Sequence, residues 1–486
     1  MAPRRFALVL CMAAACGKGS GTTTQGSGAK DDAALTIQAP KRVDLGARPL
    51  GLPDLAAYQY RTRAGHAAFK TARKAEAKGD WSAVVTACTE ALAADPTHLD
   101  AAWLLAAAYG EVGRVEEVLE PLRFAVAGDF GKWGTPAIEL PQLQSFLTTP
   151  TGEAWRRRIE EDRTAYLEAL TRATLVEAEG ELYAFDPKLN RYHRLTRTGG
   201  AVVGALASPS SREIAYVLRQ GAKGKRELAV GVVDLGKGHT TKGAPAGTLG
   251  PISVVYSTKA PVGFYVGAGS PKQTWRLLSG AKLDALPTKT ARPAGPRLEV
   301  KSKTARLYTL PVARVTADWD EQGLASAMRI GSSNKVVTVP NPGLIDGNSV
   351  RWSPDHSRLA FVAQLQADAV CTPGTPRAAA YSADAATGTA TLLFTPSIDS
   401  AKIDRGLAVE WMTDRTLLVA SGEGVSIVSL DGAAAVPLTG ATDLLTPRPR
   451  PRCQVAPEDE APDDPDATPD AAATGGGSGS TMVGPP

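Results

Sequence analysis

Two serine–lysine strings, Ser279–Lys282 and Ser332–Lys335, have the SxxK spacing that lets a lysine amine activate a serine hydroxyl as a nucleophile. Neither comes with the SDN or KTG strings that such chemistry uses, so both read as chance. Asp318 and Asp320 flank Trp319 and could divide acid and base roles, but the pair reads as surface. The five histidines, at 66, 98, 193, 239 and 356, are scattered, and no two have metal-ligand spacing. The chain has no CxxC, no GxSxG elbow, no HExxH and no phosphate-binding GxxxxGK[ST] loop. These residues predict no catalytic centre, no metal and no cofactor. The expected function is binding rather than catalysis.

The cysteines carry the other chemistry. Met1–Ala15 runs from basic (Arg4, Arg5) through apolar (from Phe6) to small residues (Ala13, Ala14, Ala15) ahead of Cys16. That order is a secretory signal, and it is too short for a permanent membrane span. The string AAAC followed by Gly17 and Ser20 resembles a bacterial lipoprotein signal. The resemblance implies a lipid on Cys16 and, through Gly17, an address at the outer membrane, facing the periplasm or the cell surface. An ordinary cleaved signal on a secreted protein is the alternative. Residues 16–52 begin GKGSGTTTQGSG after the cysteine and are expected to form a flexible tether. Cys88 falls on an apolar helical face and is expected in the core. Cys371 and Cys453 lie in proline-flanked loops and could pair as a disulfide in an oxidising compartment.

Beyond residue 53 the apolar pattern takes a helical period. Gly79 and Gly113 lie one repeat apart, as do Val84 and Val118, and Ala91 and Ala125. A helix–turn–helix unit of about 34 residues with small residues at the crossings resembles tetratricopeptide repeats. Gly79 and Gly113 would close the turns, Ala91 and Ala125 would let helices approach, and Pro96 would end a helix. Pro121 falls inside the last helix of the second copy and predicts a kink. Two such units cannot bury a solenoid face alone. Residues 152–172, with Trp155, Ile159, Tyr166, Leu167 and Leu170 at helical spacing, are expected to cap them. The charges at Arg156, Arg157, Arg158, Glu160 and Glu161 read as its solvated face.

From Thr174 the pattern becomes short alternating strands separated by Gly, Pro, Asn and Asp. The segments 208–217 and 353–362 share a turn-then-strand motif, and 411–420 is a worn copy. The hairpins 181–196 and 424–440 share a second layout. These elements resemble the blades of TolB-type β-propellers. In that family the residue after the proline caps the turn, a role that falls here on Asp355 beside Ser353 and Pro354. His356 stands where such turns usually have glycine. Residues 173–452 are thus expected to form a propeller of about six blades, a two-sheet sandwich being the alternative. Residues 220–340 give strand candidates without a clean motif.

The chain ends in a Pro-Arg alternation at 447–452, expected to be extended. An acidic tail follows at 453–486. Its acids, from Glu458 to Asp470, have no Lys or Arg among them, so the +4 net charge hides a more basic body. The expected whole is an α+β multidomain protein: signal (1–15), tether (16–52), helical repeats (53–172), propeller (173–452) and disordered tail (453–486). The reading that follows is a non-catalytic envelope lipoprotein, membrane-held by its lipid. It would serve as a scaffold for envelope proteins or peptides. With no nucleic-acid motif and an envelope address, nucleic acid is not expected as a partner. The alternatives are a propeller that senses a ligand or carbohydrate and a hydrolase with its site in the propeller mouth. Polar groups from several blades converging on the mouth would favour these alternatives. A mouth filled by the tail or by apolar side chains would favour the scaffold.

Overall fold

The hydroxyl of Thr149 accepts from the amide of Gly152 at 3.0 Å, and Pro150 opens the helix Pro150–Arg172 that this cap begins. The same logic sets the shorter helices before it. Asp80 caps Trp81–Ala94 by accepting from Ala83 (3.0 Å), and the ring of His98 caps Leu99–Glu111 by accepting from Ala101 (3.1 Å). The computed structural model describes residues 43–449 except 47, 60–61, 209–211, 222–226, 241–243, 249–250, 258, 269–273, 280–281, 290–292, 294, 302–303, 309–313, 341–342, 367–369, 371–374 and 397–405. Cys16, Cys371, Cys453 and the acidic tail therefore lie outside the described residues.

Helices His66–Glu76 and Trp81–Ala94 form one antiparallel pair, and Leu99–Glu111 and Leu119–Gly128 form a second. Gly79 and Gly113, at the two turns, have φ of +73° and +74°, where a side chain would be strained. Ala91, Ala125 and Cys88 are fully buried. The kink expected at Pro121 takes another form. The segment splits into a 3₁₀ turn, Val115–Glu117, and a helix starting at Leu119, so Pro121 sits in a first turn that needs no amide from it. Short helices between Phe130 and Leu147 follow.

The long helix buries Trp155, Ile159, Tyr166 and Leu170 and exposes Arg156, Arg157, Glu160 and Glu161. Its apolar stripe shares one core with Leu122, Val126 and Phe146 from the other helices and with Leu182, Ile214 and Val233 from strands. Residues 44–52, expected as the end of a flexible tether, instead pack into this body. Leu45, Leu50 and Leu52 are buried, and Leu52 exchanges backbone hydrogen bonds with Tyr192. Three leucines in nine residues supply enough apolar area to hold the strand down.

The strands begin at Thr174, two residues after the last helix ends, and form six antiparallel sheets among the described residues. The first holds Thr174–Ala178, Glu181–Asp186 and Arg191–Arg194, with Asp443–Leu444 from the far end of the chain paired beside Thr174–Ala178. The second is built on Val202–Ala207, Glu213–Gln220 and Glu227–Asp234. The third runs from Lys282–Lys289 through Ile252–Ser257 to Thr304–Tyr308. The fourth has three strands, Val315–Thr316, Ala327–Ile330 and Lys335–Thr338. Leu344–Asp346, Arg358–Gln364 and Ala378–Asp384 lead the fifth, and Ala408–Trp411, Thr416–Ser421 and Gly424–Ser429 the sixth. Both SxxK strings turn out to be hairpin corners. Ser279 and Lys282 face each other across one, and Ser332 lies in the turn before Lys335 in the other.

Helices and strands are also joined by ion pairs. Arg197 grips Asp129 through both nitrogens of a fork, and Arg172 grips Asp186 at 2.9 and 2.6 Å. The Tyr58 hydroxyl lies between the carbonyls of Gly128 (2.7 Å) and Tyr192 (2.9 Å).

Candidate functional site

The turn at Ser353–Pro354–Asp355 is the sequence-chosen feature whose chemistry is most fully drawn. The Ser353 hydroxyl donates to Asp355 at 2.6 Å, and the same carboxylate accepts from the amide (3.0 Å) and hydroxyl (2.9 Å) of Ser357. These donors hold the Asp355 carboxyl down at about 2, the Ser353 hydroxyl contributing most. His356 takes φ +59°, the conformation for which a glycine is the ordinary choice. The Asp355 amide donates across to Asp414 at 2.9 Å, and the Trp411 indole donates to the Arg351 carbonyl at 3.1 Å. The motif at 353–362 and its worn copy at 411–420 thus lie side by side, tying the fifth sheet to the sixth. This turn is a structural clasp. It and the repeat-defining Gly79, Ala91, Pro96, Gly113 and Ala125 shape the scaffold and do not gather into a common site.

A cavity of about 370 Å³ opens where the first, second, third and fifth sheets meet. Gly204 permits the close approach there, since a Cβ on it would lie 2.7 Å from the Cβ of Ala305. One part of the wall is apolar, with Leu182, Val202, Leu298 and Leu307. The rest is polar, with the carboxylates of Glu177, Asp346 and Asp443, the amide of Asn348, the Thr446 hydroxyl and the Arg448 guanidinium. Among the described lining residues three are acids and one is a base.

Each polar group is set by local structure. Glu177 lies on the first strand and accepts from the Gly180 amide at 2.6 Å. Asp346 caps a 3₁₀ turn, Gly347–Ser349, by accepting from the Asn348 amide at 3.0 Å. Arg351 steadies that turn by donating to the carbonyls of Asn348 (3.0 Å) and Val350 (2.7 Å), and it lies 3.9 Å from Glu410. Burial pulls the Arg351 guanidinium down from its ordinary value and pushes the Glu410 carboxyl up, each partner opposing the shift of the other. Asp443 belongs to the closing strand, and Leu445–Pro449 runs on from it along the cavity wall.

The sequence reading named none of the residues that line this cavity. The available signals were weak: a turn-forming Asp-Gly-Asn at 346–348 and the Pro-Arg alternation that contains Arg448. Among the described residues no group of three or more His, Cys, Asp or Glu is placed to hold a metal ion. No described helix is long and apolar enough to cross a membrane.

No protein-family model matches the chain, and no curated protein matches it. Solved structures give distant likenesses. The tricorn protease is 13% identical over 57% of this chain and 27% of its own, with a TM-score of 0.27. TolB from Acinetobacter baumannii is 12% identical over 54% of this chain and 64% of its own, at 0.23. A eukaryotic initiation factor is 11% identical over 59% of this chain and 89% of its own, at 0.25. The chain spans about a quarter of the first and just under two thirds of the second. At these values the likenesses carry no argument about function.

Proposed function

We propose that this protein is a non-catalytic interaction module of the bacterial cell envelope, tethered by a lipid on Cys16, that receives an extended segment of a partner protein in a central propeller cavity. The observation that carries the reading is the cavity itself. It is lined by groups from four sheets and by the chain's own Leu445–Pro449 segment, and its wall is part apolar and part acidic. Among the described residues that line it, none is a serine, cysteine, histidine or lysine, the side chains most often used as nucleophile or base. A segment of this chain, Leu445–Pro449, already lies along it, so the shape suits polypeptide.

The propeller reading draws support from the first sheet. Its strands come from both ends of the β-region, with Asp443–Leu444 beside Val176 and Glu177, an arrangement that suits a ring joined between its first and last blades. The side-by-side turns at 353–357 and 411–416 suit neighbouring blades. The helical pairs would add a second, tetratricopeptide-like surface, fixed to the β-region by the shared core and the Arg197–Asp129 pair.

One observation favours a second reading, a sensor of a small polar ligand. The carboxylates of Glu177 and Asp443, on paired strands of the first sheet, and of Asp346, from the fifth, border one cavity. Photo-crosslinking separates the two. A benzoylphenylalanine at Val203, on the cavity wall, is expected to capture a discrete protein in cells of the source organism, and Asp346→Lys is expected to abolish the adduct. A cavity that captures no protein, while the purified chain is stabilised by a polar small molecule, would overturn the interaction reading.

A further inference from the structure

The cavity contains its own clue to ligand chemistry. After Leu444 the chain leaves the ladder, bends at Leu445 and Thr446 and follows the wall, with Pro447 buried. Arg448 is only 11% exposed. Its guanidinium meets the Asp443 carboxylate at 3.0 Å and the Ser421 carbonyl at 3.2 Å. Prolines at 447 and 449 flank it and fix the backbone on both sides, so little entropy is lost in holding this arginine in place. The segment fits imperfectly. The Thr446 hydroxyl is buried without a hydrogen-bond partner. Among the described lining residues, Glu177 and Asp346 carry two further carboxylates.

We propose that the cavity is a receptor for an arginine presented on a proline-bounded segment, and that Leu445–Pro449 is a resident copy of that ligand which a partner's segment displaces. This rests on the reading of the cavity as a protein-binding site. The chemistry follows from the wall. A guanidinium donates through several N–H groups in a plane and matches a carboxylate beside a carbonyl, which a lysine ammonium does less well. The resident segment makes the empty-handed protein closed, so a partner must compete with an intramolecular contact of high effective concentration. Apparent affinity for any partner is reduced by the fraction of molecules that are closed.

The test uses the full chain and a labelled peptide with the sequence of residues 446–452, TPRPRPR, followed by fluorescence anisotropy. Wild-type protein is expected to bind weakly. Arg448→Ala removes the resident guanidinium and is expected to bind at least tenfold more tightly. Adding Asp443→Asn to Arg448→Ala is expected to remove most of that gain. A control peptide, TPAPAPA, is expected to show no gain on Arg448→Ala. Unchanged melting temperatures would show that each variant is folded. Equal binding by wild type and Arg448→Ala would overturn the proposal, as would equal binding of the alanine peptide, which would leave only proline packing. Either failure leaves the crosslinking experiment at Val203 intact. A partner captured there with no response to Arg448→Ala would refute the resident-ligand idea and keep the interaction module.

Discussion

Removing Arg197 should loosen the helical region from the sheets more than any surface change. Arg197 follows the first sheet, whereas Asp129 lies 68 residues earlier at the end of a helix. The Asp129 side chain is 5% exposed and that of Arg197 26%, so loss of the arginine leaves a carboxylate buried without its fork. Breaking a buried pair by deleting one partner costs about 3–5 kcal/mol. Partial exposure of the arginine lowers this to roughly 2–3 kcal/mol for Arg197→Ala, and about the same for Asp129→Ala. Replacing both with apolar residues, Arg197→Met with Asp129→Leu, removes the stranded charge. The double variant should lie within about 1 kcal/mol of wild type, a coupling of at least 2 kcal/mol. Urea unfolding followed by tryptophan fluorescence gives all four corners of the cycle. If each single variant costs under about 0.5 kcal/mol, or if the double variant equals the sum of the singles, the pair is not what fastens the two regions.

His193 and His356 give two further tests. Burial pushes the His193 imidazole down to about 4, below the value near 6.5 of an unfolded chain. The unfolded chain takes up this proton first as pH falls. Stability from this site is therefore complete above about pH 6.5, declines between about 6.5 and 4, and loses about 3 kcal/mol in all. His193→Phe should flatten that part of a melting-temperature profile, and an unchanged slope would refute the assignment. At His356 the left-handed backbone costs a side chain about 1 kcal/mol, so His356→Gly should leave stability unchanged or raise it by up to about that amount. His356→Val should lower it by roughly 1–2 kcal/mol in the same urea assay, and a stabilising valine would contradict the turn geometry.

Much of the architecture was legible because local physics writes it into the chain. Gly79 and Gly113 mark turns that need positive φ, and the stripe of Trp155, Ile159, Tyr166 and Leu170 marks one buried helix face. Strand alternation located Ile252–Ser257 and Gly424–Ser429 for the same reason. The Ser-Pro-Asp turn was readable because its capping bonds span only a few residues. Pro121 was read too strongly, since proline is harmless in a first turn and the sequence does not say where that turn begins. The leucines at 45, 50 and 52 were overlooked beside a Gly/Ser-rich stretch, and their burial depends on Tyr192 and on helices far along the chain.

The sequence by itself determined the change from helices to strands near Thr174 and the turns at Gly79, Gly113 and Ser353–Asp355. It also showed none of several short catalytic and metal-binding motifs, which are read from residue types at short spacings. Only the tertiary structure decided that Asp443–Leu444 returns to Val176 and Glu177, and that Glu177, Asp346, Asn348 and Arg448 border one cavity. Contacts between residues so far apart in the chain leave no periodic trace, because each partner's local pattern is satisfied without the other. They form because burying the seam removes apolar surface and open strand edges from water together.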